Sequence, residues 1–169
     1  MIGAVREGTG SKGAEVHVIG GGIDKDYISD FAMIHETSGF DKVLVGYTSS
    51  SADGFIVAMH AAAETSNLGF LVAHRPGFVS PTVLSRKAAT IDHISDGRLE
   101  LGVGGGWYEI EHNAFGIPFP SVKDRMDKLE EGVQIIKAML TDGTATFMRQ
   151  HYQVEEAHCY PTPVQSPPR

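Results

Sequence analysis

The fold is decided by residues 68–106, LGFLVAHRPGFVSPTVLSRKAATIDHISDGRLELGVGGG, in which an apolar run, a helical pattern and a second apolar run follow one another. Ser80 is placed to cap the helix, and Pro81 stands at its first position, where a missing N–H costs nothing. Gly97 supplies the stop. The helix presents an apolar stripe made of Val83, Leu84, Ala88, Ile91 and Ile94. This is the strand–helix–strand unit from which parallel sheets are built.

The same alternation extends along the chain. Apolar runs typical of buried strands begin at Glu15, Lys42, Leu68 and Arg98, and each is followed by a helical pattern. The spacing of about 26 to 30 residues suits parallel strands joined by right-handed crossovers. The fold class is therefore α/β, either as a doubly wound open sheet or as part of a (β/α)8 TIM barrel. Since eight units usually take ~250 residues, four units would be half a barrel.

The other helices have weaker local signals. Tyr27, Phe31 and Ile34 share one face of a first helix that Gly39 ends, and residues 55–65 form an Ala-rich second helix. A short helix is also expected in the loop that follows the fourth strand, within WYEIEHNAF.

The pattern changes after that loop. A long helix starts at Ser121, with Asp124 at the capping-box position. Its inward side chains are predicted to be Met126, Leu129, Val133, Ile136 and Leu140. Residues 144–154 then suggest a short hairpin, and the ending PTPVQSPPR cannot be a central strand.

Composition excludes several functions. A net charge of -7 without a basic stripe argues against nucleic-acid binding. The single cysteine, Cys159, excludes an internal disulfide and a CxxC pair, so a reducing cytoplasm is the expected compartment. No apolar run approaches the ~20 residues that span a bilayer, so we expect no membrane insertion. Residues 1–13 are rich in Gly and charge and are predicted to be a flexible lead-in.

Two glycine clusters follow predicted strands, at residues 20–22 and 102–106. Neither fits the dinucleotide fingerprint, because its last glycine would fall on Lys25 or Trp107. The first cluster is equally compatible with a tight turn. In the second, glycines beside the Trp107–Tyr108 pair suggest backbone that approaches a flat ligand, although loop packing of the two aromatic residues is the alternative.

The polar motifs each have a structural alternative. No histidine has HExxH spacing, and the group Glu109, Glu111 and His112 is interpreted as solvated charge, so no metal is predicted. Residues 48–54, TSSSADG, lack the nucleophile elbow and suit a polar loop in which Ser51 or Asp53 caps the next helix. His74 and Arg75 end the third strand, at the edge of the sheet where ligands bind. The positive charge at this position could bind a ligand, or it could form a salt bridge at the rim of the sheet.

Three motifs within residues 70–120 carry a family resemblance: RPGxxSPT, AATIDHISDGRL and GWYExEHxAFG. They are similar to luciferase-like, flavin-dependent monooxygenases, whose ATLDxLSxGR segment is distinctive. The resemblance implies a TIM barrel of which this chain holds only the first four βα units. Residues 14–169 would then be the N-terminal half of the domain, and the chain alone would be too short for a complete enzyme.

The resemblance leaves two cofactors open. FDKVLVGYTSSSADGFIVA, residues 40–58, followed by FLVAHRPGFVSPT, residues 70–82, is similar to alkanesulfonate and dimethyl-sulfone monooxygenases, which use reduced FMN and O2. GVGGGWYEIEHNAFGIPFP, residues 102–120, is more like members that use the deazaflavin F420. We expect FMN, because the match to the FMN-using subgroup runs over the longer stretch.

Site residues follow from the resemblance position by position. Ser51 stands where alkanesulfonate enzymes have a cysteine, which leaves the substrate class open. The cofactor-binding residues would be Ser51, Asp53, Ala73, His74, Gly104, Gly105, Gly106 and Tyr108. His74 and Arg75 would be catalytic and orient the substrate. The family's phosphate-binding loops would lie beyond Arg169.

The implied activity is oxygenation of a small organic substrate, with organosulfur compounds as a candidate class. A flavin reductase would supply reduced FMN, and we expect a homo-oligomer. One alternative is F420-dependent hydride transfer; another is a non-catalytic flavin-binding or interaction fragment. Isolated, the chain is expected to associate or stay partly molten, because the strand residues facing a barrel interior would be uncovered: Val16, Val18, Leu44, Leu71 and Leu101.

Overall fold

The computed structural model describes residues 22–46 and 51–168 and shows a mixed α/β chain. It divides into two compact units, residues 1–73 and residues 74–169. The predicted strand from Glu15, the flexible lead at residues 1–13 and the first two glycines of the 20–22 cluster lie outside the described residues. Within those residues, no helix combines the length and the apolar character needed to cross a membrane.

The described part of the first unit, residues 22–46 and 51–73, contains two helices and two parallel strands. Helix α1 spans Lys25–Thr37, strand β1 Lys42–Val45, helix α2 Gly54–Ala63 and strand β2 Gly69–His74, whose last residue belongs to the second unit. β1 and β2 pair in parallel from Lys42 with Gly69 to Val45 with Val72. The strands predicted from Lys42 and Leu68 are therefore confirmed.

The two faces of β1 and β2 differ in burial. Val43 and Val45 are buried, as are Phe70 and Val72, whereas Leu44 between them is 51% exposed. Successive strand residues point to opposite faces, so one face of the pair is covered and the other is open. This pattern is expected when helices pack on one side of a sheet, and α2 packs on β1 in this unit.

Helix α1 packs on α2 with a face other than the predicted one. Its buried residues are Ile28 and Ala32, while Tyr27 and Ile34 are 49% and 60% exposed. Gly39 ends the segment with φ +82°, so the left-handed stop is confirmed.

In the second unit, residues 74–168 are described and contain three helices and three strands besides the end of β2. In chain order they are helix α3 (Pro81–Ile94), strand β3 (Leu99–Val103), helix α4 (Glu109–Ala114), helix α5 (Val122–Asp142), strand β4 (Thr144–Met148) and strand β5 (Gln153–His158). α3 packs against α5, and β4 and β5 form the predicted antiparallel hairpin, which lies on α5. The core of this unit includes Leu84, Ala88, Leu99, Ile135 and Met139.

Helix boundaries in this unit follow the capping residues. Ser80 Oγ accepts from Val83 N with Pro81 in the first turn, and Ser121 Oγ accepts from Asp124 N while donating to Asp124 Oδ2. Gly97 has φ +78° after α3. The predicted helix starts at Ser80 and Ser121 and the stop at Gly97 are confirmed. Cys159 is a buried free thiol.

Candidate functional site

The loops that follow β2 and β3 meet in a cluster of charged and aromatic side chains. Arg75 forms an ion pair with Glu111 of α4, whose side chain is buried. The Arg75 guanidinium carbon also lies 4.3 Å from the centre of the Phe78 ring. A planar guanidinium can satisfy both contacts at once. We call Arg75, Phe78, Glu111, His112 and Phe119 the Arg75 cluster.

His112 packs against the two phenylalanine rings of the Arg75 cluster. Its ring makes edge contacts with Phe78 at 4.7 Å and Phe119 at 4.9 Å, and its Nδ1 lies 3.1 Å from the Tyr108 carbonyl oxygen. Glu111 and His112 are 1% and 3% exposed, so their interpretation as solvated charge is wrong. The helix turns these polar side chains inward because Arg75, 36 positions earlier in the chain, gives the carboxylate a buried partner.

The glycines after β3 have different environments. Gly106 has φ +75°, and a Cβ there would lie 3.6 Å from the His112 ring, so this glycine serves the loop turn. At Gly105 a Cβ would collide with the Met126 methyl group. Gly104 has nothing within 4 Å of its Cβ position. Of the three, Gly104 is the one whose backbone a ligand could approach.

The two aromatic residues after Gly106 differ in exposure. Trp107 is 77% exposed and Tyr108 is half-buried, with their ring centres 5.2 Å apart. The exposed indole faces solvent rather than a packed loop, so the loop-packing alternative does not account for Trp107.

His74 ends β2 and lines a narrow cleft in the second unit. The other walls come from the segment after β2, from β3, from α5 and from the hairpin: Pro76, Val79, Pro81, Val103, Lys128, Leu129, Gly132, Ile136 and Tyr152. Burial lowers the pKa of His74 to about 4, and the nearby positive charges of Arg75 and Lys87 act in the same direction. His74 is therefore neutral at neutral pH, and Arg75 is the cation of the pair.

The other predicted site residues belong to the first unit. Asp53 Oδ1 accepts from the backbone N–H groups of Phe55 and Ile56, which confirms Asp53 as the helix cap. Ser51 is exposed, and its Oγ donates to the Ala52 carbonyl oxygen at 3.3 Å. Ala73 alternates with the buried residues Val72 and His74, so it lies on the opposite face of β2. That these residues share one site with His74 and the glycines stays a prediction.

A family model described as luciferase-like monooxygenase matches residues 5–168. The chain belongs to this family. The match includes both the RPGxxSPT and the GWYExEH motifs, which meet in the Arg75 cluster. In this luciferase-like monooxygenase chain, Arg75 of the first motif and Glu111 of the second form the ion pair that joins the loop after β2 to the segment after β3.

Three solved structures illustrate the shared fold. Monooxygenase RslO1 from Streptomyces bottropensis is 24% identical with a TM-score of 0.73, over 86% of this chain and 46% of that one. The oxygenating constituent of 3,6-diketocamphane monooxygenase from Pseudomonas putida, in complex with FMN, is 20% identical with a TM-score of 0.67, over 77% and 38%. Coenzyme F420-dependent tetrahydromethanopterin reductase from Methanopyrus kandleri is 19% identical with a TM-score of 0.74, over 86% and 45%. The chain spans less than half the length of each.

One group of chemically competent side chains could not be recognised from the sequence. Asp124 and Asp127 of α5 lie together with His151 from the turn between β4 and β5. The i, i+3 spacing of the two aspartates was visible in the sequence, but nothing there joined them to a histidine in a later hairpin. This group lies outside the His74 cleft.

The low pKa of His74 predicts acid sensitivity. Between pH 6.5, the usual pKa of histidine, and pH 4, near the lowered pKa of His74, the unfolded chain binds a proton that the folded chain does not. Stability should therefore fall as the pH is lowered through this window, by about 3 kcal/mol in total from this residue. Urea unfolding at several pH values should show a shallower acid limb for His74→Gln than for the unsubstituted chain. His158→Gln, at an exposed histidine, is the control; an acid limb unchanged by His74→Gln would contradict the assignment.

Proposed function

We propose that this chain is the N-terminal half of a flavin-dependent monooxygenase that uses reduced FMN and O2 on a small organic substrate. The observation that carries the proposal is the family match over residues 5–168. The one-sided burial of β1 and β2 supports placing the strands in a TIM barrel, with residues 14–169 as its first four βα units. Activity, substrate and partners are those of the longer enzyme.

The residues after β3 fit a flat cofactor. The backbone at Gly104 is open, and the exposed Trp107 and half-buried Tyr108 follow it closely in sequence. Rings of this kind stack on planar ligands, and a glycine lets such a ligand reach the backbone. Bound reduced FMN would supply the electrons that activate O2 for oxygenation. The remaining cofactor-side residues in the proposal are Ser51, Asp53, Ala73 and His74, while Gly105 and Gly106 shape the loop next to Gly104.

His74 and Arg75 have distinct proposed roles. The neutral imidazole of His74 can donate or accept a hydrogen bond to a polar substrate without adding charge. Arg75 is held by Glu111 and Phe78, so it orients the loop that carries the substrate side of the site.

The structure bears on the choice between FMN and F420. The F420-like resemblance rests on the GWYExEH segment, yet its Glu111 and His112 are buried in the Arg75 cluster and hold loops together. Side chains used in that way carry little information about a cofactor. The FMN-like resemblance over residues 40–82 retains its weight, and the FMN-bound neighbour supports it. F420-dependent hydride transfer is the second candidate, favoured by the F420-dependent neighbour.

The cofactor can be tested by anaerobic titration of the full-length enzyme with reduced FMN and reduced F420. We expect FMN to bind at least about ten-fold more tightly, which is about 1.4 kcal/mol. Gly104→Val should weaken that binding because its side chain fills the open space, whereas Ile110→Ala, on the exposed side of α4, should not. Tight binding of F420 alone would overturn the monooxygenase assignment.

The same enzyme tests the wider proposal. With a flavin reductase, O2 and organosulfur candidates, substrate-dependent consumption of O2 is expected, and sedimentation would report the proposed homo-oligomer. Flavin binding without any oxygenated product would favour the non-catalytic alternative.

A further inference from the structure

One face of α5 carries acidic side chains, and the turn between β4 and β5 lies against this face. Asp124 and Asp127 are three residues apart and so share that face, and Glu131 continues it one turn later. Glu131 Oε2 accepts from the backbone N–H groups of His151 and Tyr152 at 3.0 and 3.1 Å. This pair of hydrogen bonds holds the turn between β4 and β5 against α5. The backbone from which the His151 side chain extends is therefore fixed next to the helix.

The His151 imidazole is buried beside the two aspartates. Its side chain is 10% exposed, and its Nε2 lies 4.0 Å from Asp127 Oδ2, beyond hydrogen-bonding distance. Within the part of the chain that the structure describes, this buried Nε2 has no hydrogen-bond partner. Buried polar atoms are rarely left in that state, and an ion is one of the usual reasons when they are.

We propose that Asp124, Asp127 and His151 bind a divalent transition-metal ion, with Zn2+ as the reference ion. One ligand atom from each of the three residues lies within 4.8 Å of the others. For Zn2+ bonds of about 2.1 Å, tetrahedral ligand atoms are roughly 3.4 Å apart, so atoms at the 4.8 Å limit need to close by about 1.4 Å. Imidazole favours Zn2+ and its neighbours over Mg2+, and water can complete the coordination. The proposal departs from the sequence-based expectation of no metal.

The surroundings of the site permit this small closure. Asp124 accepts a hydrogen bond from Ser121 Oγ at 2.7 Å through Oδ2, and a carboxylate has a second oxygen. Lys123 Nζ lies 2.5 Å from Asp127 Oδ2, but this lysine side chain is 81% exposed and can swing into solvent. Lys123 is thus a competitor of the metal for Asp127. Its removal should tighten metal binding.

A metal ion here would join the first turns of α5 to the hairpin turn. It would add a second connection to the one that Glu131 already makes to His151 and Tyr152. Because ligands that bind only the folded state raise its stability, the ion should stabilise the second unit.

Isothermal titration of the EDTA-treated full chain with Zn2+ tests the site, with Co2+ absorption as a report on coordination. We expect one ion per chain. His151→Ala should weaken the affinity by at least about ten-fold, a typical loss when a metal site is disturbed. Lys123→Ala should strengthen it measurably. His158→Ala, which removes an exposed histidine of the same hairpin, is the control and should leave the affinity unchanged.

Equal Zn2+ affinity in the unsubstituted, His151→Ala and Lys123→Ala chains would overturn the proposal and indicate adventitious binding elsewhere. Circular dichroism of each variant separates loss of the site from loss of the fold. If His151→Ala does not fold, Lys123→Ala still decides, since it removes only an exposed side chain: tighter binding supports the site, and unchanged affinity contradicts it.

Discussion

Replacing Arg75 by Met should lower the free energy of unfolding by about 3 to 5 kcal/mol, the range for removing one partner of a buried ion pair. The substitution leaves the Glu111 carboxylate buried without its counter-ion, since that side chain is 2% exposed. It also removes the guanidinium from the Phe78 ring. Urea unfolding of the 169-residue chain, followed by circular dichroism, measures the loss.

A double variant separates the ion pair from the bulk of the side chain. In Arg75→Met/Glu111→Leu neither charge is buried, so most of the lost stability should return. Lys123→Ala breaks an exposed ion pair with Asp127 and should change stability little. A double variant no more stable than Arg75→Met would show that the two charges do not act as a pair.

The outcome also bears on the proposed site. If Arg75 oriented an anionic substrate directly, its charge would have to serve both the substrate and the buried Glu111. The geometry favours a role for Arg75 in positioning the loop. Its ion pair with Glu111 joins the segment after β2 to α4, and the Phe78 and His112 rings pack together in the same cluster. In the full-length enzyme, the double variant should therefore retain more activity than Arg75→Met alone.

Features set by neighbouring residues could be predicted from the sequence. The caps at Asp53, Ser80 and Ser121 and the left-handed stop at Gly97 depend on a few adjacent positions, because a cap needs only a side-chain oxygen and the first free N–H groups. The strand starts were predictable for a similar reason, since a run of β-branched and apolar residues bounded by glycine is a local pattern.

Features that depend on residues distant in the chain could not be predicted from the sequence. Periodicity identifies an apolar stripe on α1 but does not say which of two adjacent stripes meets α2, and Ile28 and Ala32 are the buried ones. Glu111 and His112 look solvated until Arg75 and Phe78 are placed beside them. The same holds for the candidate site: Gly104, Gly105 and Gly106 are equivalent in sequence, and Met126 and the His112 ring distinguish them in space.

The C-terminal segment depends on a buried aspartate of α3. Asp92 is 2% exposed, and its Oδ2 accepts from the backbone N–H groups of Val164 and Gln165 at 2.6 and 3.0 Å. Its Oδ1 accepts from Gln165 Nε2 at 2.5 Å, and that amide also donates to the Leu99 carbonyl oxygen. The adjacent His93 Nε2 lies 2.7 Å from the Thr162 carbonyl oxygen. Two neighbouring helix residues thus hold the tail.

Asp92→Ala should therefore lower the free energy of unfolding by about 4 kcal/mol, because hydrogen bonds to a charged acceptor contribute about 1.5 to 3 kcal/mol each and do not add fully. Asp92→Asn keeps one acceptor oxygen and should lose less. Gln165→Ala, which leaves both backbone N–H groups on Asp92, should lose less than Asp92→Ala. Urea unfolding gives the energies, and amide hydrogen exchange at Val164 and Gln165 shows whether the tail opens alone or with the rest of the unit. If those amides exchange as slowly in Asp92→Ala as in the unsubstituted chain, the aspartate does not hold the segment.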